Sequence, residues 1–121
     1  MRKIILVPAI ILLIAAGTIL LSVRNNNPVD PSNNSLDDFA NCLSEKGAVI
    51  YGTNTCQYCQ KQKKIFGDSL RLVRYVDCFQ NVAECQRKSI QKFPTWIFGD
   101  EEKVLGVQSL EELSQRTGCP L

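Results

Sequence analysis

The run Ala48-Val49-Ile50-Tyr51-Gly52-Thr53-Asn54-Thr55-Cys56-Gln57-Tyr58-Cys59-Gln60 decides how this chain folds. Ala48 to Tyr51 is a short apolar stretch, the size of a buried strand. Gly52 to Thr55 is turn-forming, and the residues from Cys56 to Phe66 suit a helix that opens at Cys56. A Cys-X-X-Cys placed directly after a strand, at the first turn of a helix, is a specific arrangement. The helix-start amides and the helix dipole stabilise an anion there. Cys56 is therefore the candidate nucleophile. Cys59, one helical turn further on, can attack a mixed disulfide formed at Cys56 and resolve it.

Two other uses of such a pair are a structural bridge and half of a zinc site. An all-cysteine zinc site needs a second close pair, and the six residues between Cys78 and Cys85 exceed the usual spacing. The chain has no histidine, which excludes His-dependent metal sites and Cys–His or Ser–His–Asp catalysis. The sequence implies no cofactor.

Outward from this stretch, the order of elements is legible. Ser35 is a good helix N-cap, and Leu36, Phe39, Ala40 and Leu43 form an apolar face that Gly47 terminates. Leu72 to Asp77 is a second strand candidate, and Val82 to Ser89 a short helix. Thr95 to Phe98 and Lys103 to Val107 read as a hairpin joined by Gly99-Asp100-Glu101-Glu102. Ser109-Leu110-Glu111-Glu112 is a capping box for a final helix that Gly118 and Pro120 stop. The strand–helix–strand crossover implies a parallel pair and the hairpin adds antiparallel strands. The expectation is a small mixed sheet flanked by helices, an α/β domain over residues 35–121, with Phe66, Leu72, Val76, Ile90, Ile97 and Leu113 in its core.

Ahead of that domain, Ile4 to Val23 is twenty residues without a charge. As a helix this run reaches roughly 30 Å, the thickness of a bilayer's hydrocarbon core. Ala15-Ala16-Gly17 resembles a signal-peptidase site, but the apolar run continues beyond the usual length of a secretory h-region. We therefore expect an uncleaved transmembrane anchor over residues 4–23, with residues 1–3 as a cytoplasmic tail. Arg2 and Lys3 precede the run and Arg24 is the lone cation after it until Lys46, so the remainder is exported. Residues 24–34 hold two prolines and five asparagines and read as a flexible linker. The net charge of +2 belongs to the anchor: without Arg2, Lys3 and Arg24, 11 cations face 12 acids. A near-neutral domain carries no nucleic-acid footprint.

Phe93-Pro94-Thr95-Trp96 lies about 35 residues beyond the cysteine pair, just before a strand. Together with the strand–CXXC–helix, it resembles the thioredoxin superfamily, whose fold the domain is expected to share. The resemblance implies a cis peptide bond at Phe93–Pro94, with Pro94 against the cysteine pair. Gln57, Tyr58, Phe93 and Thr95 would then border a substrate groove. The stretches CLSEKGAVIYGTNTCQYCQKQKKIFG, YVDC, FPTWIFG and GVQSLEELSQRTGC narrow it. They are similar to the thioredoxin-like domain associated with VKOR (vitamin K epoxide reductase) family proteins. That resemblance implies a role in making disulfides outside the cytoplasm, with a VKOR-like quinone-reducing membrane protein reoxidising Cys56–Cys59. The chain departs from thioredoxins in having Ile50 where they carry a buried Asp, and Gln57-Tyr58 between the cysteines. A reductase or isomerase of the same fold therefore stays open, as does a non-catalytic binding module stabilised by disulfides or zinc.

Six cysteines in a small exported domain suggest a disulfide framework beside the reactive pair. The remaining four allow three pairings. Cys78 closes a strand and Cys85 falls in the next helix, so we expect Cys78–Cys85, and with it Cys42–Cys119. A relay of electrons between Cys78–Cys85 and Cys56–Cys59 is the alternative to a purely structural role. Lys61, Lys63 and Lys64 read as a solvated helix face, and Trp96 and Phe98 as core.

Overall fold

The computed structural model describes residues 31–121, and the expected tail and anchor, with residues 24–30 of the linker, lie outside them. Among the described residues no helix is long and apolar enough to cross a membrane. Helix α1 spans Pro31–Glu45. It starts five residues earlier than a Ser35 cap would place it, and a proline at a helix's first position suits its fixed φ and missing N–H. Strand β1 is Val49–Gly52 and helix α2 Gln57–Phe66, followed by a 3-10 turn over Gly67–Leu72. That turn takes Leu72 out of the expected strand, so β2 is Arg74–Asp77. Helix α3 is Val82–Arg87, β3 Thr95–Ile97, β4 Lys103–Leu105 and α4 Leu110–Thr117. The hairpin strands are shorter than expected because Gly106, at φ 90°, turns the chain out of β4.

The four strands lie in the order β2-β1-β3-β4. β1 pairs parallel with β2, while β3 pairs antiparallel with both β1 and β4. Alternation along the strands splits the interior into two cores. Ile50 and Trp96 face the helices α1, α2 and α4, against Phe39, Leu43, Phe66 and Leu113. Tyr51, Val76 and Ile97 face the other way, against Cys85 of α3. Of the expected core residues, Leu72 and Ile90 are only half-buried, packed at the margins. Phe39, Phe66, Trp96 and Phe98 form a continuous ring stack through the larger core, with centroids 6.0–6.5 Å apart.

Local chemistry sets the helix ends. Ser109 accepts from the Glu112 amide and the Glu112 carboxylate accepts from the Ser109 amide, so both arms of the capping box at α4 are made. Gly118 closes that helix in the left-handed conformation, φ 74°. Asp37 on α1 accepts from Ser69 and from the Arg71 guanidinium, tying α1 to the 3-10 turn.

The disulfides are Cys42–Cys119 and Cys78–Cys85. The first fastens α1 to the segment after α4, across 77 residues of sequence. The second fastens the end of β2 to α3 across seven. Chain-entropy reasoning assigns the long loop about 4–5 kcal/mol of stabilisation and the short one about 2–3 kcal/mol. Accordingly, Cys42→Ala/Cys119→Ala should lower the unfolding free energy by roughly 2 kcal/mol more than Cys78→Ala/Cys85→Ala. Urea unfolding of the two double variants under non-reducing conditions reads this difference directly.

Candidate active site

The register of the central strands brings the site together. Tyr51 of β1 lies opposite Thr95 of β3 in an antiparallel pair. The chain leaving β1 toward Cys56 therefore runs beside the chain entering β3 through Phe93 and Pro94. The Phe93–Pro94 peptide is cis and Pro94 is fully buried. The Cys56 thiol donates to the Phe93 carbonyl at 3.7 Å.

Cys56 is not the first residue of α2 but its N-cap, with extended backbone. Its sulfur accepts the Cys59 amide N–H at 3.2 Å, doing what a serine or aspartate oxygen does at other helix starts. Both thiols are free, and their exposures differ: Cys56 is half-exposed, Cys59 wholly buried.

Burial dominates Cys59. It pushes the thiol up to about 11, the neighbouring Cys56 sulfur adds to the shift, and the Thr53 backbone and the Tyr75 side chain oppose it. The strand beneath offers no acid, because Ile50 is apolar and fully buried. A half-exposed sulfur at a helix cap and a buried one a turn later make a directional pair. The outer sulfur is open to a partner, and the inner one is enclosed behind it.

Gln57 and Tyr58 are exposed at the start of α2, and Phe93 is half-buried beside Cys56. Thr95 does not present its side chain to this edge. It is buried, and its hydroxyl donates back to the Lys92 carbonyl at 2.7 Å. Lys61 and Lys64 are exposed, but Lys63 is not simply part of a solvated face. Its ammonium sits 4.2 Å from the centre of the Tyr75 ring and donates to Asn54 at 2.9 Å.

Three residues of consequence escaped the sequence reading. Gly52 is one: a β-carbon there would lie 2.4 Å from the Tyr75 hydroxyl and 2.8 Å from the Cys59 sulfur. Tyr75 is the second, its hydroxyl donating to the Thr53 carbonyl at 3.2 Å. Gln62 is the third, fully buried within α2. Its amide oxygen accepts from Trp96 Nε1 at 3.1 Å and from the Gln108 amide at 2.7 Å, while its Nε2 donates to the Gln108 carbonyl at 3.0 Å. This hub locks α2 to β3 and to the approach to α4. The available signals were a glycine at a strand's end and a glutamine on an otherwise core-facing helix stripe.

The strand order, the pairing directions and a cis-proline beside a helix-capping Cys-X-X-Cys define a thioredoxin-like fold. No family model matches the chain. It is 37% identical over 89 residues to "Thiol-disulfide oxidoreductase LTO1" of Arabidopsis thaliana, a match covering 65% of this chain and 23% of that protein. The chain thus spans about a quarter of that relative's length. The NTD_N/C domain of alkylhydroperoxide reductase AhpF from Enterococcus faecalis is similar over 74% of this chain and 44% of its own, with 16% identity and a TM-score of 0.49. A glutaredoxin from Methanosarcina mazei is similar over 59% of this chain and 77% of its own, with 30% identity and a TM-score of 0.40.

The buried thiol has a pH signature. Because its folded value of about 11 lies above the ordinary 9.0, the folded dithiol holds its proton where the unfolded chain releases it. Stability of the reduced protein should be full below about pH 9 and decline as pH rises toward about 11. The oxidised protein, in which Cys59 does not titrate, should lack this slope. Chemical denaturation of both forms across that pH window measures it.

Proposed function

We propose that the chain is a membrane-anchored, extracytoplasmic thiol–disulfide oxidoreductase that passes disulfides to substrate proteins. A VKOR-like, quinone-linked membrane protein would reoxidise it. The observation that carries the exchange chemistry is the asymmetry of the pair: Cys56 accessible and capped by an amide, Cys59 buried directly behind it. Similarity to a protein named as a thiol–disulfide oxidoreductase supports the same reading. The export of the domain is supported by the apolar run of residues 4–23 and its flanking charges, and by two disulfides of the kind oxidising compartments favour.

In the donating direction, a substrate thiolate attacks Cys56 Sγ in the Cys56–Cys59 disulfide. That bond breaks, its electron pair leaves on Cys59, and a mixed disulfide joins substrate and Cys56. A second substrate thiolate attacks the substrate sulfur, forming the substrate disulfide and releasing Cys56 as a thiolate. Two electrons have passed to the chain, and the substrate's protons end on Cys59 and in solvent. The membrane partner then removes those electrons and restores the Cys56–Cys59 bond. A binding module held together by zinc is less well served, because four of the six cysteines are already bonded to one another.

Replacement Cys56→Ser should abolish oxidation of a reduced model substrate, whereas Cys59→Ser, offered the same substrate in its disulfide form, should accumulate a mixed disulfide at Cys56. Direction is read from the reduction potential of Cys56–Cys59 in the full chain, equilibrated in glutathione buffers. A value of about −120 to −200 mV supports donation of disulfides. One near or below about −270 mV would make the protein a reductant and remove the basis for a VKOR-like partner.

A further inference from the structure

We propose that the Tyr75 hydroxyl is a catalytic group of this site, the hydrogen-bond donor that stabilises the Cys59 sulfur when it carries charge, and that Gly52 is present to let it reach. This rests on the exchange chemistry proposed above. It begins from a gap in the chemistry: Cys59 must bear a negative charge whenever the disulfide opens or forms, yet it does so in an apolar interior. Besides Cys56, Tyr75 is the ionisable side chain acting on Cys59, and Ile50 contributes none from the strand below.

Geometry places the hydroxyl for this task. The Tyr75 oxygen and the Cys59 sulfur both crowd the point where a Gly52 β-carbon would stand, so the two atoms are at most about 5 Å apart. They arrive there from different elements, Tyr75 from β2 and Cys59 from α2. Any larger residue at 52 would drive them apart. In the dithiol form the hydroxyl donates to the Thr53 carbonyl. A phenol has one proton and a rotatable O–H bond. Turning that bond from the carbonyl to the sulfur needs little movement of heavy atoms.

During disulfide donation the substrate thiolate bonds to Cys56 Sγ, and the Cys56–Cys59 bond breaks with its electron pair on Cys59. The Tyr75 O–H then donates to that pair until a proton from the substrate's second thiol neutralises it. Tyr75 keeps its own proton throughout, since its burial and the nearby Cys59 raise its ionisation well above neutrality. The other groups facing this pair are the Cys56 sulfur, Asp77 and the Lys63 ammonium on the outer face of the ring. Lys63 holds the ring in place and favours a polarised hydroxyl.

The test is Tyr75→Phe in the full chain, which keeps the ring, its packing and the Lys63 contact while removing the oxygen. A hydrogen bond to a charged group corresponds to roughly 10- to 100-fold in rate, so opening of the oxidised pair by a dithiol peptide should slow by that much. In a Cys56→Ser background, ultraviolet titration should place Cys59 at higher pH once the oxygen is gone. A ring-fluorinated tyrosine at position 75, a stronger donor of the same shape, should shift both readouts the opposite way. Rates and titrations that stay within about twofold in both variants would overturn the proposal and leave Tyr75 as a space-filling residue. If instead the oxidised parent chain oxidised the dithiol peptide no faster than its Cys56→Ser variant, the exchange chemistry itself would fall, and the role of Tyr75 with it.

Discussion

The antiparallel register of β1 against β3 is the constraint on which everything at the site depends. Because Tyr51 pairs with Thr95, the residues that follow one strand lie beside the residues that precede the other. A strand register cannot slip by one residue without exchanging its two faces, and here both faces are buried: Ile50 and Trp96 on one side, Tyr51 and Ile97 on the other. Two hydrophobic cores thus hold the cis Phe93–Pro94 bond against Cys56. Moving Pro94 away from the sulfur would mean moving Trp96, the largest fully buried side chain, out of its stack.

From that placement follows the division of labour between two chemically identical thiols. Cys56 stands at the helix cap, where its sulfur accepts an amide N–H and solvent or a partner can reach it. Cys59 is one turn deeper, where desolvation favours its neutral form. A difference of environment, not of residue type, therefore distinguishes the two sulfurs, and the proposed exchange chemistry draws on that difference. Fixing α2 is what keeps this difference in place, and the fully buried Gln62 does so with three hydrogen bonds.

The strand–CXXC–helix was legible because a short apolar run, a turn and a helix start each carry their own local signal. The capping box at Ser109 was legible for the same reason, since its two hydrogen bonds lie within four residues of sequence. The ends of the hairpin strands were not, because Gly106 ends β4 by backbone conformation where the apolar pattern runs on to Val107. Ser35 carried a genuine cap signal, yet the helix begins at Pro31, a case of two competing start signals in neighbouring positions. Tyr75 and Gly52 were invisible for a deeper reason. Their significance is the one point in space where a missing β-carbon, a hydroxyl and a sulfur meet, brought there by β1, β2 and α2. Lys63 was misread similarly, since charge pattern alone does not reveal a ring beneath it.

The same logic of access separates the three cysteine pairs. Thiol–disulfide exchange needs a thiolate to reach a sulfur, so a bond with both sulfurs enclosed is slow to exchange whatever its potential. Cys78 and Cys85 are both buried within the smaller core, and Cys119 is wholly buried beneath α1. An electron relay through Cys78–Cys85 would require opening that core, in which Tyr51, Val76 and Ile97 also fix the central strand register. The bridges that hold the scaffold are thus placed where exchange cannot easily reach them. Among the bonded cysteines Cys42 alone is partly exposed, with its partner Cys119 buried behind it, while Cys56 is the partly exposed sulfur of the unbonded pair, so the proposed exchange chemistry has one open sulfur to use and the bridges that hold the scaffold stay apart from it.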